Sequence, residues 1–262
     1  MRYSQSMPDY DLSSPSNEKI KRLVNLRERK HRDAEGVFIV EGVRLFSRAI
    51  VSGLEPVEVY YDPGRVDAGS HAGAVSTSPQ ALEKASYRST SEGLIALFKQ
   101  FDLSLESLQL PDSPLIMIGE GIEKPGNLGA MLRTADAVGA AAFVAVDSRI
   151  DPFNPNAVRA STGALFTVPL ASARIASVDA WLKRSGVKLV AASPDAETDI
   201  WDADLTGPVA LLVGSEADGL SAGAIEAADT LVRIPMGGAV DSLNSSVAFA
   251  VLAYETVRQR SV

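Results

Sequence analysis

Leu115-Ile116-Met117-Ile118 is a run of four apolar residues that leads, four residues on, into a polar loop, Glu123-Lys124-Pro125-Gly126-Asn127-Leu128-Gly129-Ala130-Met131-Leu132-Arg133. Short apolar runs of the same kind recur at Ala142–Val146, Lys188–Ala192, Val209–Val213 and Leu231–Ile234. Helical patterns separate them at Leu128–Val138, Val178–Lys183, Ala222–Ala228 and Val247–Arg258. Strands apolar along their whole length, interleaved with helices, imply a parallel sheet covered on both faces. In such a sheet ligands bind where loops leave the carboxyl ends of the strands, so the informative loops follow Ile118, Ala192, Val213 and Ile234.

Toward the N-terminus the pattern is smaller in scale. Phe38-Ile39-Val40 reads as a strand, Glu41–Val51 as a helix, Val57–Tyr60 as a second strand and Ala81–Lys84 as a helix started by Pro79. This small α/β unit ends near Phe101, and the two-proline stretch Asp102–Pro114 reads as a linker. The expected organisation is a disordered leader over 1–16, a first domain over 17–106 and a second over 107–262.

Asn17 suits the N-cap of a basic helix in which Leu23, Val24 and Leu26 form a narrow apolar stripe, so light docking is expected. Lys19, Lys21, Arg22, Arg27, Arg29, Lys30 and Arg32 are opposed within that segment only by Glu28. Against a whole-chain charge of −8, this run is a candidate phosphate-facing patch; the plainer alternative is a solvated helix face.

Composition closes several chemistries. Of 262 residues, 46% are hydrophobic and none is cysteine, so a core can form while thiolate catalysis, disulfides and cysteine zinc sites are excluded. His31 and His71 are the two histidines, too few for a multi-histidine metal site, and no metal is expected. No apolar run approaches the roughly 20 residues of a membrane span, which leads to the expectation of a soluble cytoplasmic protein.

Neither the dinucleotide-binding nor the P-loop glycine spacing occurs, which weighs against a nucleotide-dependent oxidoreductase. Instead, two further polar loops accompany the first: Gly214-Ser215-Glu216-Ala217-Asp218-Gly219-Leu220 and Ile234-Pro235-Met236-Gly237-Gly238-Ala239-Val240-Asp241-Ser242-Leu243-Asn244-Ser245-Ser246. Taken singly, each has an ordinary reading: Asn127 as a helix cap with Arg133 as a helix cation, the two glycines as a turn, Ser242 or Asn244 as the cap of the last helix.

Together and in this order the three loops resemble the signature motifs of the SpoU/TrmH family, RNA 2′-O-ribose methyltransferases of the SPOUT superfamily. The similarity extends to Tyr254–Arg260 and, more loosely, to the basic segment and Phe38–Gly42. The resemblance implies a C-terminal trefoil-knotted parallel-sheet domain, a smaller N-terminal L30e-like α/β domain that binds RNA, and a homodimer with the active site at its interface. It implies S-adenosylmethionine as cofactor and structured RNA as substrate, with large-subunit ribosomal RNA favoured and tRNA as runner-up. Carried over by position, Asn127, Arg133, Glu216, Ser242 and Asn244 are the catalytic candidates. Ala192, Gly214, Ile234, Met236 and Leu243 are the cofactor contacts. Ser245 departs from the valine common after the Ser-Leu-Asn triplet. A noncatalytic RNA-binding assembly protein of the same fold is the other alternative, which the intact motifs oppose.

Overall fold

The computed structural model describes residues 10–71, 73–88, 90–239 and 241–261, which form two compact units: 1–100 with 153–155, and 101–152 with 156–262. The first unit begins with α1 (Glu18–Asn25) and α2 (Arg29–Glu35), followed by β1 (Val37–Glu41), α3 (Val43–Val51) and β2 (Pro56–Tyr61). It continues through β3 (Ala74–Ser76), α4 (Pro79–Ala85) and β4 (Leu94–Lys99). The sheet order is β1-β4-β2-β3, with β4 antiparallel to both neighbours and β3 parallel to β2. The central β4 and the short β3 were not anticipated: Leu94–Phe98 is a continuous apolar run of the kind that periodicity alone does not assign.

Asn17 caps α1 as expected, its Oδ1 accepting from Lys19 N at 2.9 Å. The docking is not light, however. Ile20, Leu23 and Leu26 are fully buried in the unit's core, whereas Val24 is only half-buried, so the inward stripe includes Ile20 and omits Val24.

The leader needs a similar correction. Met1–Asp9 lie outside the described residues, but residues 10–16 are ordered against the first unit. Leu12 is buried in the core; its N–H donates to Ser76 O at 3.0 Å and its carbonyl accepts from Ser78 N at 2.8 Å. The Asp11 carboxylate accepts from both the N–H and the hydroxyl of Ser76. A single buried leucine with backbone pairing carries no periodicity, which is why the segment reads as irregular.

The second unit comprises β5 (Leu115–Glu120), α5 (Pro125–Ala137), β6 (Ala142–Val146), α6 (Pro155–Ala160), β7 (Leu170–Ala173) and α7 (Ile175–Ser185). It ends with β8 (Lys188–Ala192), β9 (Thr198–Asp199), β10 (Val209–Val213), α8 (Ala222–Ala227), β11 (Thr230–Arg233) and α9 (Ser245–Arg260). All paired neighbours in the order β7-β6-β5-β10-β8-β11-β9 are parallel, as expected. Side chains alternate across this sheet. Ile116, Ile118, Ala210 and Leu212 pack with Val178, Trp181 and Leu182 of α7 and Ala224 of α8. On the other face α5 packs against α9, and Phe143 of β6 meets Phe249 of α9 with ring centroids 5.6 Å apart.

The segment read as a linker belongs to the second unit. Leu105 is buried in its core, Leu108 and Leu110 pack beside it, and Leu103 O accepts from Ser172 N at 2.8 Å. The division therefore falls after Gln100 rather than after 106.

Candidate functional site

The parallel strands send their carboxyl ends to one edge, and three of them build a cavity there of about 390 Å³. Ala192 ends β8 and Asp195 follows it, Gly214–Leu220 follow β10, and Ile234, Met236 and Asp241–Leu243 follow β11. All five proposed cofactor positions, Ala192, Gly214, Ile234, Met236 and Leu243, line it, as does Ser242. Gly214 leaves no room for a side chain: a Cβ there would lie 2.3 Å from the Gly219 backbone. That closeness is held by Ser215 N donating to Gly219 O at 2.9 Å, with Gly219 at φ +67°. The loop therefore presents main chain to the cavity.

A smaller hollow of about 80 Å³ adjoins it, sharing Gly214–Ala217 and Ser245 and walled on its other side by Glu120–Lys124 and Asn127. Here the first loop meets the other two. α5 begins at Pro125, so Asn127 is the third residue of the helix and not its cap. Its amide donates to Ser245 Oγ at 3.5 Å, which gives the departure from valine at 245 a polar partner.

Lys124 occupies the N-cap position of α5 and sends its ammonium to one carboxylate oxygen of Glu216. The other oxygen accepts from the Asn244 amide. Lys124 holds the Glu216 carboxyl below the ordinary carboxylate range, and Glu216 in return raises the lysine. Asn244 also caps α9, its Oδ1 accepting from Ser246 N at 3.0 Å and from Ser246 Oγ at 2.6 Å. Asn127, Glu216 and Asn244 are thus brought together. Arg133, two turns into α5, is exposed, lines neither hollow, and makes no hydrogen bond or ion pair among the described residues.

Sequence reasoning missed Lys124 and Glu120. Glu120, buried at the end of β5, accepts from the Ser221 N–H at 3.0 Å and from its hydroxyl at 2.5 Å, tying the start of α8 to β5. The available signal was its position: a charged residue directly after an apolar strand points to a partner.

The basic segment is less free than its composition suggests. Arg32 is 1% exposed and donates to the carbonyls of Leu26 and Arg27 at 2.8 and 2.7 Å, so it braces the α1–α2 connection instead of facing solvent. Arg22 pairs with Glu35 and Glu58 at 2.7 Å each, and Arg27 donates to the carbonyls of Lys84 and Ser86. Most of these acceptors lie beyond the Lys19–Arg32 segment itself. Lys19, Lys21, Arg29 and Lys30 are exposed; the last three have surface partners in Glu18, Asp33 and Glu28.

Residues 114–254 match the SpoU rRNA Methylase family. The chain belongs to that family. Residues 17–96 of this SpoU methylase also match the MRM3-like substrate binding domain. It is 40% identical over 176 residues to the 23S rRNA (guanosine-2′-O-)-methyltransferase RlmB of Ralstonia nicotianae, covering 65% of this chain and 71% of that protein. A crystal structure of an RNA 2′-O ribose methyltransferase superposes with a TM-score of 0.83 at 40% identity, over 96% of this chain and 99% of that one. The AdoMet-bound rRNA methyltransferase of Sinorhizobium meliloti gives a TM-score of 0.87 at 29% identity, over 94% and 97% of the two chains. Among the described residues of this SpoU methylase, no helix is long and apolar enough to cross a membrane.

Proposed function

We propose 23S ribosomal RNA as the substrate of this S-adenosylmethionine-dependent RNA 2′-O-ribose methyltransferase. The observation that carries the site assignment is convergence: Ala192, Gly214, Ile234, Met236 and Leu243, contributed by three separate loops, line a single cavity, and Asn127, Glu216 and Asn244 gather beside it.

The residues fit the methyl donor. The cavity volume lies within the roughly 300–1,000 Å³ of small-molecule sites. Bare main chain at Gly214 suits a flat purine, Met236 and Leu220 offer apolar contact, and the carboxylates of Asp195, Glu216, Asp218 and Asp241 match a ligand bearing a positive sulfonium. When bound, S-adenosylmethionine supplies an electrophilic methyl group.

The chain's own residues position the acceptor. Arg133 grips a phosphate next to the target ribose and stabilises negative charge developing on the 2′-oxygen. A guanidinium, with a pKa above roughly 12, is suited to that grip and not to accepting a proton. Asn127 and Asn244 orient the nucleotide and the loops, Glu216 holds Asn244, and Ser242 offers a hydroxyl at the cavity mouth.

Arg133 standing outside both hollows supports a homodimer in which a second copy completes the site. So does α9, which exposes Val247 and Tyr254, 48% and 54% accessible and two helical turns apart. Family membership supports a trefoil knot in the second unit, and the match to a substrate-binding domain supports an L30e-like RNA-binding role for the first. Lys19, Lys21, Arg29 and Lys30 are its RNA-facing cations. The 23S rRNA substrate of the RlmB relative favours ribosomal RNA over tRNA, and with it a cytoplasmic location.

The test is transfer of tritium from labelled S-adenosylmethionine into ribosomal RNA that lacks the mark, with Arg133→Ala alongside. The variant should lose on the order of 10²-fold or more in kcat while binding the cofactor as wild type does. Label appearing in tRNA alone would overturn the ribosomal assignment, and equal kcat in the variant would remove Arg133 from the site.

A further inference from the structure

Lys124 is in an electrostatically adverse place. It holds the N-cap position of α5, where the first amides lack intrahelical partners and the helix dipole disfavours a cation. Its side chain makes no cap. It crosses instead to Glu216, 92 residues away in sequence, on the loop after β10. Glu216 passes the constraint to Asn244 on the loop after β11, and Asn244 closes the first turn of α9 through Ser246. One chain of polar contacts, Lys124 to Glu216 to Asn244 to Ser246, therefore joins the loop after β5 to the loops after β10 and β11. Asn127 to Ser245 runs alongside it.

Glu216 borders both hollows, so its two oxygens have a choice of partners. With Lys124 holding one oxygen, the other remains for Asn244. Without the lysine, the carboxylate keeps only its amide partners, Asn244 and Asn127, and can turn toward either hollow, so the Asn244 amide is held less firmly.

We propose that Lys124 is a positioning residue of the methyl-transfer site: it commits one oxygen of Glu216 and thereby fixes the Asn244 amide and the start of α9 in the reactive arrangement. This rests on the methyltransferase reading above. Lys124 acts through Glu216 and does not touch the reacting atoms.

Position and stability separate in an experiment because the ion pair is a surface one. Lys124 has a side chain 69% accessible, and solvent-screened pairs of this kind add little to stability, so its removal leaves the fold intact. Lys124→Met and Lys124→Arg would be made in the full chain. Thermal midpoints, kcat, and KM for S-adenosylmethionine and for unmethylated ribosomal RNA would then be measured.

The expected result for Lys124→Met is a fall in kcat of about tenfold or more, with both KM values within about twofold of wild type and the thermal midpoint nearly unchanged. Lys124→Arg, which keeps the charge and donors, should recover most of the rate. A Lys124→Met variant with wild-type kcat overturns the inference. A loss confined to KM for RNA, restored by arginine, also overturns it, because it would make Lys124 a phosphate contact. A wild-type chain that binds cofactor but methylates no RNA overturns the reading beneath it and this inference with it. An active wild type beside an unaffected Lys124→Met overturns the inference alone.

Discussion

Gly214 illustrates how a single backbone position governs the cavity. Its missing side chain lets the Ser215–Gly219 turn fold back on the end of β10, and a methyl group there would strike main chain at Gly219 and Leu220, which cannot move aside like the end of a flexible side chain. Gly214→Ala should weaken S-adenosylmethionine binding about tenfold or more, read by titration calorimetry, and lower stability by about 1–3 kcal/mol through overpacking. Unchanged affinity would mean that the turn opens without affecting the cavity. At this scale the sequence was informative where it was unusual. Glycines beside hydroxyls and amides at strand ends marked the cavity, and every cofactor position read from the motifs lines it. Lys124 escaped notice because its meaning lies in Glu216, a partner too distant in sequence for any local pattern to join the two.

Between elements, the first unit is fastened by charge as well as by apolar packing. Arg22 of α1 reaches Glu35 at the end of α2 and Glu58 of β2, and the Tyr60 hydroxyl donates to the same Glu58 carboxylate. Burial alone would raise the Glu58 pKa, but Tyr60 and Arg22 outweigh it and hold it below the ordinary carboxylate value. A carboxylate depressed in the folded state stabilises above its unfolded pKa and loses that contribution as pH falls through its folded pKa. Glu58→Gln should therefore be less stable than wild type at neutral pH, and the gap should close as the solution is acidified below about pH 4. Urea unfolding at pH 7 and pH 3 would reveal it, and a gap independent of pH would reject the ionic account. Most strands and helices of the second unit were legible because their apolar runs are bounded by polar turns; the short β7, β9 and α6 were not read. In the first, β4 was not: Leu94–Lys99 has neither alternation nor a distinctive turn, and only its two antiparallel partners define it as a strand.

For the whole molecule, a net charge of −8 sets the background against which RNA must be held. Three of the seven basic residues in the Lys19–Arg32 segment, Arg22, Arg27 and Arg32, are engaged in holding the first unit together. The exposed remainder, Lys19, Lys21, Arg29 and Lys30, is what can displace counterions from phosphates. Reversing these four charges should weaken RNA binding and flatten its dependence on salt, by up to about 0.9 in logarithmic slope for each duplex phosphate that is no longer neutralised. Binding measured from about 50 to 300 mM salt would test this, and an unchanged slope would shift the RNA footprint to other cations. Composition could suggest the patch, but it could not show that an arginine in a basic run, such as Arg32, is an interior brace.

Phe153 stacks on Phe38 with ring centroids 5.2 Å apart and belongs to the first unit, although the chain on both sides of 153–155 belongs to the second. During synthesis, then, the first unit cannot finish its aromatic cluster when residue 100 leaves the ribosome. It must wait until β5, α5 and β6 have also emerged. A nascent chain stopped before residue 153 has Phe98 stacked on Phe38 but lacks the Phe153 ring, so the order of translation and the order of folding part company. Completion of the first unit is coupled to the arrival of residues 153–155, which follow β6 in the chain.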